Sequence, residues 1–136
     1  MRDLTSTVVF RWLAAGDAGD LDAFDELFHP DATVHAPAGL STTSADEEKA
    51  VWRNALAAMP DLRHDVREVL VEGDVEMARV VVSGTLVTTF GGMEPSGRSF
   101  TVDQAIIVHL RDGRIAEAWE IADSASIAAQ LTGGHR

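Results

Sequence analysis

The sequence predicts an α+β domain in which helices come first and long antiparallel strands follow. Three observations predict it. Apolar residues recur at helical spacing up to Pro60, they alternate in steps of two from Leu62 onward, and the breaks between the later segments are short and rich in Gly and Asp. Helices followed by such a run of strands pack on one face of a curved sheet. At 136 residues the chain has the size of one domain, so residues 1–136 are read as a single unit with 132–136 as a frayed tail.

Val8, Val9, Trp12 and Leu13 repeat at helical spacing and make the first helix. After Gly16-Asp17-Ala18-Gly19, Asp20 is placed to cap a second, short helix carrying Leu21, Phe24, Leu27 and Phe28, which ends at Phe28-His29-Pro30-Asp31. Ala32 to Ala36 reads as a short strand closed by Pro37 and Gly39. Ser44 with Glu47 three residues on is a capping-box pattern, and Val51, Trp52, Ala55, Leu56 and Met59 form the apolar stripe of a third helix that Pro60 stops. Four strands follow: Leu62 to Val71, Val75 to Phe90, Ser99 to Leu110 and Ile115 to Ala122. Their connections, Glu72-Gly73-Asp74, residues 91–97 and Arg111-Asp112-Gly113-Arg114, are of the kind that joins antiparallel neighbours. Asp123 is placed to cap a C-terminal helix starting near Ser124.

Composition narrows the chemistry. Eleven Lys and Arg against 22 Asp and Glu leave a formal charge of -11, which repels phosphate backbones and anionic lipid, so neither nucleic acid nor a membrane is an expected partner. The apolar runs are strand-sized, and Met1-Arg2-Asp3-Leu4 lacks the basic-then-apolar pattern of a signal segment; a cytoplasmic location is the expectation. Without Cys there is no disulfide, thiolate nucleophile or zinc-thiolate site, and without Tyr there is no phenol acid. Carboxylate, imidazole, amide, hydroxyl and indole groups remain.

Several segments, in order, resemble the nuclear-transport-factor-2-like cone fold and, within it, the SnoaL-like polyketide cyclases. They are Ala18-Gly19-Asp20-Leu21, Asp31-Ala32-Thr33-Val34 with Pro37 and Gly39, and Met59-Pro60-Asp61-Leu62-Arg63, then Glu72-Gly73-Asp74, Gly84-Thr85, Pro95-Ser96-Gly97-Arg98 and Asp112 to Trp119. The resemblance covers almost the whole chain. It implies three N-terminal helices packed in a strongly curved, mainly antiparallel sheet, a cone-shaped α+β barrel enclosing an apolar pocket, and a homodimer through the outer sheet face. The same fold hosts catalysts and non-catalytic domains, so the site must decide the function.

In the third long strand, alternation puts Phe100, Val102, Gln104, Ile106, Val108 and Leu110 on the inward face. Gln104 is then an amide among apolar neighbours, in need of a ligand or a core hydrogen-bond partner. In the last strand two arguments conflict. Periodicity groups Ile115, Glu117, Trp119 and Ile121 as the apolar set and sends Trp119 inward; the resemblance places the acid/base carboxyl of the SnoaL-like cyclases directly after that Trp, at Glu120. We take Glu120 as inward, with Ala118 and Ala122 lining a cavity and Ile115, Trp119 and Ile121 buried in a dimer contact, against the alternative of a solvated strand carboxylate. Desolvation raises the pKa of such a Glu, so that it both gives and takes a proton near neutrality.

His64 shares parity with Leu62 and Val66 and is a candidate to replace the His that the cyclases carry where this chain has Ile106; its alternative is a core or rim His. His35 is a candidate for the pocket mouth, His109 is on the opposite strand face, and His29 and His135 look structural or solvent-facing. Trp12, Trp52, Met59 and Met93, with Ile106, Val108 and Ala118, are the expected substrate-contacting set; core packing is the alternative for the three helical residues. No His pair has metal-ligand spacing with a third donor nearby, so neither a metal nor another cofactor is expected.

Two related activities are disfavoured by residues. The resemblance implies that a steroid isomerase needs a carboxylate, a tyrosine and an acid where this chain has Ala36, Trp12 and Ile106, and that a limonene-type epoxide hydrolase needs Asp-Arg-Asp where it has Ile106, Gln104 and Glu120. The first expectation is therefore a cofactor-independent lyase or isomerase, polyketide-cyclase-like, acting through Glu120, Gln104 and His64 on a small apolar or aromatic carbonyl compound. The second is a ligand-binding or dimerisation domain of the same fold.

Overall fold

A computed structural model describes residues 3–133. Four helices, α1 (Val8–Asp17), α2 (Phe24–Leu27), α3 (Ala45–Ala58) and α4 (Ser124–Thr132), pack against five strands, β1 (Phe28–His35), β2 (Arg63–Glu72), β3 (Val75–Thr85), β4 (Ser99–Arg111) and β5 (Arg114–Ala122). The sheet order is β1-β5-β4-β3-β2. β2 to β5 pair antiparallel, whereas β1 runs parallel to β5, so the sheet is mixed and open rather than a closed barrel. The hairpin between β4 and β5 turns on Asp112 and Gly113, both with positive φ, as a two-residue turn that matches strand twist requires.

Side chains that satisfy backbone groups set the helix starts. Thr7 and Ser44 cap α1 and α3, and Asp123 caps α4 as its sequence position predicts. The N-terminus of α1 is also tied to the sheet. The carboxylate of Glu76, buried on β3, accepts from Val8 N at 3.1 Å and Val9 N at 2.7 Å, so two orphan helix N–H groups and one buried charge satisfy each other.

Several expectations are corrected. Asp20 makes no cap hydrogen bond, and Phe28 opens β1 instead of closing α2, so that strand starts four residues earlier than its alternation suggested. β3 ends at Thr85; beyond it Leu86 N still bonds Arg98 O, but Val87 N turns to Ala58 O and the chain leaves the sheet. Thr132 belongs to α4 and Gly133 closes it in the left-handed region, while residues 134–136 of the expected tail lie outside the described residues.

The core lies between the helices and the inward sheet face. Trp12 meets Phe28 edge-on at 5.2 Å, Phe24 meets Trp52 edge-on at 6.1 Å, and Ile106, Val108, Ile115 and Ala118 are fully buried behind them. Gly16 is where α1 admits the Trp52 indole: a Cβ there would sit 2.4 Å from the ring. On the other sheet face Leu70, Met77, Ile107, Trp119 and His35 stand opposite one another in register across all five strands. Val80 and Val82 point the other way, into the core.

Candidate active site

Strand β5 decides the site. Its register against β4 shifts between His109 and Leu110, so that His109 pairs with Glu117 but Leu110 with Ile115. This bulge changes the strand's facing partway along. Ile115 points inward below it, and Ala118, Glu120 and Ala122 do so above it, while Trp119 goes to the outer face between the rings of His35 and His109. The strict alternation that had grouped Ile115 with Trp119, and placed both in a dimer contact, is broken there: Ile115 is fully buried in the core.

Glu120 opens into a cavity of about 120 Å³ whose wall includes Glu48, Trp52, Met59, Leu62 and His64. Beside it is a larger apolar chamber of about 450 Å³, bounded by the 37–40 loop, Phe90, Met93 and Phe100, and by Ile127, Ala128 and Leu131 of α4. Leu40, Met59 and Phe90 belong to the walls of both. The arrangement is an apolar chamber next to a small end that carries two carboxyls and an imidazole.

Glu48 is the residue that sequence reasoning missed. It is 2% exposed, and its carboxyl accepts from Thr42 Oγ1 at 2.8 Å and from Trp52 Nε1 at 3.0 Å. A signal was present: Glu48 stands three, four and seven residues before Val51, Trp52 and Ala55, within the apolar stripe of α3, while attention went to Glu47 of the capping box. Burial pushes the Glu48 carboxyl above its ordinary value, and the two donated hydrogen bonds oppose the rise. Glu120 is pushed up to about 8, first by burial and then by the facing charge of Glu48. No described residue hydrogen-bonds the Glu120 side chain. Of the two neighbouring carboxyls, Glu48, with two donors, is the better placed to hold a charge, and Glu120, with none among the described residues, the better placed to hold a proton.

His64 closes the small end. Asp17, the last residue of α1, accepts from the His64 backbone N at 2.6 Å and lies 2.7 Å from its Nδ1, and the ring packs 5.0 Å from Trp52. The other expected residues are dispersed. Met93 lines the larger chamber but not the small cavity. His35 lies on the outer side, 2.7 Å from Glu117 and stacked on Trp119, beside a shallow groove that also reaches Glu120. Trp12, Gln104, Ile106, Val108 and Ala118 line neither cavity; Ile106 stands across the strand pair from Glu120. Trp12 Nε1 and Gln104 Oε1 are buried without a partner among the described residues. His29 is buried and bonds Arg111 O. Among the described residues no three His, Asp or Glu side chains gather as a metal-binding group, and no helix is long and apolar enough to cross a membrane.

An open cone of sheet around helices, with the Glu120 and Glu48 carboxyls and the His64 imidazole at the small end of an apolar chamber, defines a pocket of the size and lining that holds a small molecule. The chain belongs to the SnoaL-like polyketide cyclase family, whose model matches residues 7–131. No curated protein matches it. Among solved structures it is similar to IdmH from Streptomyces antibioticus, a candidate polyketide cyclase, at 31% identity over 92% of this chain and 96% of that one, with TM-score 0.79. TsrD from Streptomyces laurentii is 29% identical over 91% of each chain, with TM-score 0.81. A candidate SnoaL-like polyketide cyclase from Jannaschia sp. CCS1 shares the fold at TM-score 0.84 and 22% identity, over 94% and 91% of the two chains.

Proposed function

We propose that this protein is a cofactor-independent acid–base catalyst of the polyketide cyclase type, which closes a ring in a small, largely apolar carbonyl compound. The observation that carries the reading is the placement of Glu120, Glu48 and His64 in the wall of one small cavity beside the apolar chamber, where burial and the facing Glu48 push the Glu120 carboxyl up to about 8. In an aldol-type closure a C–H bond next to a carbonyl breaks, its electron pair forms the new C–C bond, and the attacked carbonyl oxygen takes a proton. A carboxyl that is protonated at neutral pH supplies that proton where a solvated Glu cannot. The chamber holds the apolar body of the substrate and keeps water from the reacting end. A second copy of the chain covers the outer row Leu70, Met77, Ile107, Trp119 and His35.

The test is ring closure of linear and monocyclic polyketide-like esters, followed by mass-neutral chromatographic shift and NMR. Wild-type protein is expected to turn over at least one of them, and Glu120→Gln to lose about 10²–10⁴-fold. Binding of these esters with no Glu120-dependent turnover overturns the enzymatic reading and leaves a domain that holds the ligand.

A further inference from the structure

The geometry points to a second proton-transfer unit facing Glu120: we propose that His64, oriented by Asp17, is the base that removes the substrate's carbon-bound proton through Nε2. This rests on the acid–base reading above and supplies its missing half, since a protonated Glu120 cannot also be the base that starts the reaction.

The argument begins with where Asp17 is. A carboxylate in the last turn of a helix stands at the negative end of the helix dipole, an unfavourable place for it. Its two oxygens are both used on His64, one on the backbone N at 2.6 Å and one at 2.7 Å from Nδ1. A carboxylate only accepts, so Nδ1 carries a hydrogen and a neutral ring is left with its lone pair on Nε2. The Trp52 indole, 5.0 Å away, packs against the ring, and Trp52 is itself tied to Glu48 at 3.0 Å. Backbone, carboxylate and indole thus fix one tautomer and one ring plane. No described residue hydrogen-bonds Nε2, and His64 shares the wall of the 120 Å³ cavity with Glu48 and Glu120.

The proton balance closes. The substrate C–H proton goes to Nε2, and the C–H pair forms the C–C bond. The carbonyl π pair moves to oxygen, which takes the Glu120 proton. The product is an isomer of the substrate. The enzyme is left as imidazolium and carboxylate, and passing one proton from His64 to Glu120 restores it. Asp17 touches no substrate and is a positioning residue, holding the ring in the useful tautomer as the Asp of a Ser-His-Asp triad does.

Two measurements test this without the natural substrate. Long-range ¹H–¹⁵N correlation of the His64 ring is expected to show the Nδ1–H tautomer in wild type and a shift toward Nε2–H in Asp17→Asn, whose side chain still accepts from the His64 backbone. An Nε2–H ring in wild type, or no change in Asp17→Asn, overturns the proposal. The second readout is loss of the C1 protons of 2-tetralone, an apolar bicyclic ketone, to D₂O. Wild type is expected to catalyse the exchange, His64→Gln and Asp17→Asn to lose about 100-fold or more, and Asp17→Glu to recover part of it. Thermal melts of each variant establish that the chain is folded. Exchange that survives in His64→Gln but falls in Glu120→Gln overturns the dyad and leaves the Glu120 reading standing. No exchange by wild type also overturns the dyad, and the Glu120 reading then depends on its own ring-closure assay.

Discussion

Replacing Glu120 by Gln removes a buried ionisable group while keeping its shape, and the consequence is a change in how stability depends on pH. The ordinary Glu value is 4.5 and the folded value is about 8. Below pH 4.5 both the folded and unfolded chains hold the proton, and the group's contribution is fully present. Above that the unfolded chain releases its proton and the folded chain does not, so stability falls by about 1.4 kcal/mol per pH unit until the folded group ionises near 8. Taken in full, the loss is about 5 kcal/mol. Water entering the cavity around an ionised carboxylate lowers it, so the expected change is about 2–5 kcal/mol, a large share of a typical domain stability of about 5–15 kcal/mol. Urea unfolding of wild type and Glu120→Gln from pH 4.5 to 9 measures it. The two should converge at the acid end, with the variant the more stable at pH 9. Glu48→Gln, which removes the facing charge, should bring the Glu120 titration down without returning it to the ordinary range, because burial is the larger cause. A flat difference between wild type and Glu120→Gln across this range would refute the protonated Glu120 and the acid role with it.

Two further outcomes are expected. Gly16→Ala places a Cβ 2.4 Å from the Trp52 ring and should destabilise the fold by about 1–3 kcal/mol despite the better helix propensity of Ala, with a changed Trp emission; an unchanged melting temperature would show that the indole is not held where it is described. Ile121, 56% exposed beside Trp119 on the outer face, should on change to Glu convert a dimer to a monomer in light scattering, and a wild-type monomer would remove the second copy from the proposal.

The helices were legible in the sequence because their signals are local. Ser44 and Asp123 cap where they stand in the chain, and Pro60 follows two residues after the end of α3. β4 was equally legible, since an uninterrupted alternation from Phe100 to Leu110 has one inward reading. β5 was not. Its two faces carry similar residues, and a single bulge reverses which of them is buried, so alternation misplaced Trp119 and only the resemblance pointed to Glu120. The site suffered more than the fold. Glu48 looked like a helix-surface acid, and Asp17 like part of a Gly-rich break, because the partners that give them meaning lie far off in sequence.

The chain's pattern of apolar residues, caps and turns determined the α+β class and the order of the elements, and its composition restricted the chemistry to carboxyl, imidazole, amide, hydroxyl and indole groups. Class and order follow from neighbours a few residues apart, where spacing alone sets which side chains meet. Tertiary structure decided which of those groups act together. Asp17 meets His64 across 47 residues, and Glu48 meets Glu120 at a cavity formed where α3, β2 and β5 converge. Whether a carboxyl holds its proton at neutral pH depends on the water and charge around it, and those surroundings are assembled only when the sheet curves over the helices.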